Sequence, residues 1–271
     1  MHFVQVSSRI RCAVEDLCPG GSPTILMLHG WPLSHRIFEY ICTAAPALGI
    51  RCITMDLRGY GDSDKPFSGY SYDRLADDVY AVCRSIDTQF ITLLGFSMGG
   101  AVAVRYMARH QGYKVNQLIL CGAAAPVFTR APENPRGLTR EAVDLLIRES
   151  YQDRPAMTKA FGVMCFAQPQ SAAFMDWFQD ICLDAGGPAT IHSLESLRDE
   201  RLYSDLKTIK TPTMILHGKK DQVCPYELAE TLHDGIMPSF LVPFEESGHC
   251  LFIDEREKFN NEVTEFVLEN R

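Results

Sequence analysis

Along the chain, short apolar-rich runs alternate with longer stretches whose apolar positions recur every three or four residues. Residues 24–28 (Thr-Ile-Leu-Met-Leu), 51–55, 91–95, 115–120, 212–216 and 239–243 are runs of the first kind. Their length, and their lack of regular polar alternation, suit strands buried on both faces of a parallel sheet. Residues 3–6 and 9–14, joined at Ser7-Ser8, add a hairpin in front of them. Helical patterning occupies 36–48, 72–86, 101–109 and 259–268. This alternation predicts an α/β fold: a mainly parallel, eight-stranded sheet flanked by helices.

One stretch breaks the rhythm. Between residues 125 and 205 no strand pattern occurs, and helical segments at 139–151, 155–166, 172–183 and 188–198 are punctuated by Pro126, Pro132, Pro135, Pro155 and Pro169. The expectation is a core of 1–125 and 205–271 interrupted by a helical cap at 126–204. Such a cap would cover the C-terminal edge of the strands, where open α/β sheets place ligands. The length of 271 residues suits one domain with an insertion.

The chemistry concentrates at strand ends. Gly95-Phe96-Ser97-Met98-Gly99 follows an apolar run and opens the Ala/Val-rich stretch 101–109. A serine between two glycines, at a strand-to-helix turn, is pushed out over the sheet edge while the new helix aims its first N–H groups at the same place. Ser97 needs a base and an acid that orients it. Asp221 lies just beyond the run 212–216, and His249 just beyond 239–243, so both fall on the same edge. The order serine, acid, histidine predicts that His249 takes the proton of Ser97 and that Asp221 holds the imidazole. Two N–H donors for a developing oxyanion are expected from the backbone of Met98 and of Trp31, since Pro32 has no N–H.

Neighbouring groups read as structural. His29, a rival base by position, is expected to pack or hydrogen-bond at its strand end, and Asp56 and Arg58 to hold a turn rather than to bind substrate. Ten cysteines show no C-x-x-C and no Cys/His pair at zinc spacing, which points to free thiols; Cys250, next to His249, is the one position open to a chemical role. The charged runs Lys219-Lys220 and Asp254-Glu255-Arg256-Glu257 are expected on the solvated surface.

Composition narrows the partners. A net charge of −8 offers no basic surface for phosphates, which argues against nucleic acid. No apolar stretch is long enough to span a bilayer and the N-terminus lacks a secretory pattern, so a cytoplasmic protein without a membrane partner is expected. A homo-oligomer is compatible with everything above. No phosphate loop, dinucleotide fingerprint or metal cluster occurs, and no cofactor is expected.

Taken together, His29-Gly30-Trp31-Pro32-Leu33-Ser34, Asp56-Leu57-Arg58-Gly59-Tyr60-Gly61-Asp62-Ser63-Asp64-Lys65-Pro66, Gly95-Phe96-Ser97-Met98-Gly99-Gly100, His217-Gly218 with Asp221, and Gly248-His249 resemble the α/β-hydrolase superfamily over essentially the whole chain. The wording around Trp31 and Ser97 is similar to the cofactor-free haloperoxidase and aryl esterase branch. That resemblance implies a carboxylesterase acting on small esters, with perhydrolase activity as a side reaction, and a helical cap over the site. Pro32 restricts Trp31, and so can fix its carbonyl where a peroxide O–H donates to it. A serine at position 97 disfavours the branches that need aspartate there. The same three residues also serve lactonases, carbon–carbon bond hydrolases and ligand receptors of this fold, so the motifs leave those readings open. Cap residues Phe128, Phe161, Met164, Phe166, Phe174, Trp177 and Phe178 suit an apolar acyl group, and equally suit burial against the core.

Overall fold

The computed structural model describes residues 1–132 and 134–269. The initial hairpin is β1 (His2–Ser7) and β2 (Ile10–Leu17). It is followed by β3 (Thr24–Leu28), β4 (Arg51–Met55), β5 (Ile91–Phe96), β6 (Val115–Cys121), β7 (Thr213–Gly218) and β8 (Ser239–Phe244). They form one eight-stranded sheet of order β1-β2-β4-β3-β5-β6-β7-β8. β2 pairs antiparallel with both β1 and β4, whereas the pairings from β4 across to β8 are parallel. Every residue of β3, β5 and β7 is buried, so the centre of the sheet has no wet face and its strands show no alternation.

The helices before the insertion are α1 (Glu39–Ala44), α2 (Tyr72–Ser85) and α3 (Met98–Arg109). Between β6 and β7 come α4 (Arg140–Met164), α5 (Ala172–Leu183), α6 (Gly187–Asp199) and the short α7 (Tyr203–Leu206). α8 (Glu227–Gly235), α9 (Leu251–Asp254) and α10 (Arg256–Leu268) close the core. Among the described residues, no helix is long and apolar enough to cross a membrane.

Several elements differ from the pattern, and α7, α8 and α9 have no counterpart in it. The stretch 36–48 is not one helix but a 3-10 turn (His35–Phe38), α1, and a second 3-10 turn (Ala45–Leu48). Pro46 has no N–H to continue α1, and Gly49, at φ 80°, ends the segment. α3 starts at Met98, three residues before its apolar pattern, because Gly99 and Gly100 hide the first turn from a propensity reading. The segments 139–151 and 155–166 run together as α4 with a kink at Asp153 (φ −152°, ψ 75°), two residues before Pro155. Asp153 Oδ1 accepts the Ala156 N–H at 3.0 Å, so the second half of α4 carries its own N-cap.

The inserted helices are fastened to the loops that follow β3 and β4. The Trp31 indole donates to the Thr190 carbonyl at 2.9 Å, the Tyr60 hydroxyl to Ser193 Oγ at 2.7 Å, and the Gly186 N–H to the Gly59 carbonyl at 2.8 Å. The Trp31 and Phe161 rings meet edge to face at 4.9 Å. The inserted helices therefore pack against the loops at the C-terminal ends of β3 and β4.

Candidate active site

β5 delivers the chain to Ser97 and α3 carries it away. Ser97 sits at φ 54°, ψ −120°, a conformation that costs an L-residue on the order of 1–3 kcal/mol. Backbone bonds hold it there. Its N–H donates to the Cys121 carbonyl at 2.9 Å, and its own carbonyl accepts from Gly100, Ala101 and Ala124. The flanking glycines leave no space: a Cβ on Gly95 would lie 2.4 Å from the Gly99 carbonyl oxygen, and one on Gly99 2.3 Å from that of Leu28.

The structure brings Ser97, His249 and Asp221 into one line. Ser97 Oγ lies 2.9 Å from His249 Nε2, and His249 Nδ1 lies 2.8 Å from Asp221 Oδ2. All three residues are buried, Ser97 being only 5% exposed. Asp221 Oδ1 accepts the N–H groups of Val223 and Cys224, each at 2.8 Å. Burial pushes the Asp221 carboxyl up, but the charge of His249 and the hydrogen bonds from His217 and His249 outweigh it and hold it well below the usual carboxylate range. Asp221 is therefore an anion in a dry site, and Nδ1 of His249, facing it, carries a proton. Nε2 is then free to accept from Ser97.

The backbone N–H of Met98 opens α3 and has no acceptor among the described residues, and the same holds for the N–H of Trp31. The loop after β3 lies against Ser97, since a Cβ on Gly30 would come within 2.7 Å of the Ser97 Cβ.

His29 is buried, with Nδ1 2.9 Å from the Gly30 carbonyl and Nε2 accepting the Leu57 N–H at 3.0 Å. Both ring nitrogens are thus occupied away from Ser97, and burial, opposed by Asp56, pushes the ring down to about 4. Asp56 holds the turn, and Arg58 ties it to α2. Asp56 accepts from the N–H groups of His35 and Asp62, and Arg58 Nη2 meets Asp78 Oδ1 at 2.6 Å in a buried pair. His35, Asp56 and Asp62 present ligand atoms within 4.8 Å of one another, but both Asp56 oxygens are already engaged in the turn.

Cys250 is fully buried, and burial, with Cys165 and the charge of Asp254, pushes its thiol well above the ordinary range. It stays a neutral thiol, a poor nucleophile. Of the aromatic and thioether residues between β6 and β7, Phe128, Phe161 and Phe178 are buried, and Met164, Phe166, Phe174 and Trp177 pack partly buried against the core.

Within the charged run 254–257, Glu257 is exposed as expected, but Asp254 and Glu255 are half-buried and engaged by neighbouring loops. Asp254 accepts the N–H groups of Gly248 and Ala167, each at 2.8 Å, and of Gln168 at 3.3 Å. Glu255 accepts the Ser247 hydroxyl at 2.6 Å and the Glu246 N–H at 3.0 Å. Two carboxylates thus pin the loop that carries His249, and Asp254 ties that loop to the end of α4. Hydrophobic patterning holds no signal for this role; the only hint is their position five and six residues after His249.

The sequence profile of the alpha/beta hydrolase family matches residues 25–262. An AB hydrolase superfamily protein, YisY, of Bacillus subtilis (strain 168) is 45% identical over 265 residues, 98% of each chain. Among solved structures, an esterase (EaEST) from Exiguobacterium antarcticum is 45% identical at a TM-score of 0.94, covering 98% of both chains. A bromoperoxidase from Bacillus anthracis is 27% identical at a TM-score of 0.93, covering 99% of both. With this sheet order, a serine on the turn after β5, and a family match over most of its length, the chain belongs to the alpha/beta hydrolase family.

Proposed function

We propose that this chain is a serine hydrolase that cleaves small carboxylic esters through an acyl-enzyme. The observation that carries the reading is the buried line of contacts from Ser97 Oγ through His249 to Asp221, at 2.9 and 2.8 Å. In this reading His249 takes the Ser97 proton as Oγ attacks the ester carbonyl, and the imidazolium formed is held by the Asp221 carboxylate. The N–H groups of Met98 and Trp31 receive the oxyanion. His249 then gives its proton to the leaving alcohol, and a water activated by the same ring releases the acid. Residues 126–204 act as the cap, and its aromatic residues shape the acyl side of the site. The esterase from Exiguobacterium antarcticum supports the substrate class.

The test is hydrolysis of p-nitrophenyl esters from acetate to laurate by wild type and Ser97→Ala. Turnover by wild type that drops by about 10⁶-fold in the variant is the expected result. A folded wild type without turnover, or a variant that retains it, overturns the reading. A second activity, peracid formation from carboxylic acid and hydrogen peroxide, is favoured by the similarity to a bromoperoxidase. With bromide present for the peracid to oxidise, bromination of a dimedone probe that requires both acetate and peroxide, and is lost in Ser97→Ala, is the outcome that supports it.

A further inference from the structure

One buried ionisable side chain beside the site is not used by the chemistry above. His217 stands near the end of β7, four residues before Asp221, and is completely buried. Its Nε2 lies 2.7 Å from the Cys224 carbonyl oxygen and 3.3 Å from Asp221 Oδ2. Both neighbours are acceptors, so Nε2 must carry a proton. Nδ1 has no partner among the described residues, so a second ring proton would be buried without an acceptor. The ring is therefore the neutral Nε2–H tautomer. Tyr226 packs edge to face on it at 5.9 Å, with Lys219 Nζ 3.4 Å from the centre of the tyrosine ring. The other titratable groups around the carboxylate are His249 and the thiols of Cys121, Cys224 and Cys250. Burial pushes all three thiols up, so they are uncharged.

We propose that His217 is a positioning residue for the reaction assigned to Ser97: its Nε2–H clamps the Cys224 carbonyl, fixes the 221–224 turn, and shares the charge on Asp221 Oδ2 with His249. The clamp is closed at both ends. The same peptide segment whose carbonyl His217 holds returns the Val223 and Cys224 N–H groups to Asp221 Oδ1. With His217 in place the carboxylate has little freedom to rotate, and its hold on a protonated His249 is tempered by a second N–H dipole close by. Without it, the carboxylate should wander and also bind protonated His249 more firmly. Turnover would then fall, and the pH at which His249 becomes a free base would rise.

This inference rests on the esterase reading, and its test is built to separate the two. In His217→Leu, kcat for p-nitrophenyl acetate should fall roughly tenfold with KM little changed, as when the outer partner of a first-line group is lost. The acid limb of the kcat/KM profile should move up by roughly half a pH unit. His217→Gln, whose amide N–H reaches the same carbonyl, should restore both; His217→Asn, too short to reach, should behave like the leucine variant if that one fails to fold. Wild-type kcat and an unmoved acid limb in a folded Leu or Asn variant would overturn the proposal. So would equal losses in all three variants with the acid limb unmoved, which would mean packing alone. The downfield proton signal of the His249 Nδ1–H, shifted in Leu or Asn and recovered in Gln, reads the clamp without turnover. An inactive wild type therefore sinks the esterase reading and leaves this measurement in force.

Discussion

The two halves of the site are held by different means. Ser97 rides on a turn fixed by backbone: four main-chain hydrogen bonds and glycines whose absent side chains let β5, α3 and the end of β3 touch. Asp221 and His249 ride on loops fixed by side chains, with Asp254 and Glu255 gripping the histidine loop and His217 facing the aspartate turn. A backbone-held turn tolerates almost no change at its glycines, because nothing can move aside. A loop held by side chains keeps the fold when one partner is lost, and loses geometry instead. Changes in the first half should therefore appear as stability, and changes in the second as activity.

The largest effect expected from the side-chain half is at its acid. Asp221→Asn should cost about 10⁴-fold in kcat with the fold intact, because an amide presents the wrong group to His249 Nδ1. Unchanged activity in single-turnover assays would place the acid elsewhere. In the backbone half, Gly95→Ala forces a Cβ to within 2.4 Å of a carbonyl oxygen. We expect a loss of about 3 kcal/mol or more in urea unfolding, or no soluble protein. A Gly95→Ala protein of wild-type stability would erase the contrast between the halves.

The contrast sharpens at Asp254. An amide in Asp254→Asn faces N–H groups from Gly248, Ala167 and Gln168 with one acceptor oxygen instead of two. The variant should fold, lose roughly tenfold in kcat, and exchange amide hydrogen faster at 165–168 and 247–250. Faster exchange spread over the whole sheet would show that Asp254 serves global stability.

The smallest effect concerns His29. Its folded ring stays neutral down to about 4, while the unfolded ring protonates near 6.5, so stability is full above 6.5 and is lost as pH falls toward 4. His35 has the opposite sign: burial lowers it, but its bond to Asp56 and the charge there outweigh this and raise it, so its contribution is present below 6.5 and lost as pH rises. The difference in Tm between wild type and His29→Asn, followed from pH 7 to 5, should therefore shrink as pH falls. A constant difference would remove the titration from the account.

The same division explains what could be read from the chain alone. The backbone half leaves a local signature, since only glycine fits at 95 and 99, and the strand and helix around Ser97 carry their own hydrophobic patterns. Asp221 and His249 were legible by chain order and by following the last two strands. The side-chain clamps were not. Asp254 and Glu255 look like any surface charge run, because hydrophobic patterning reports burial of apolar groups and is silent on which loop a carboxylate grips. The break in the helix at 36–48 is hidden from the pattern for a related reason: its apolar spacing survives the interruption at Pro46, while its hydrogen bonding does not.

The central claim is that Ser97 is the group that becomes acylated. Wild-type protein incubated with a fluorophosphonate ester, then digested and mapped by mass spectrometry, should carry one adduct per chain, on Ser97, in step with loss of esterase activity. An adduct on another residue, or unlabelled Ser97 in a protein whose esterase activity has been abolished by the reagent, would contradict it.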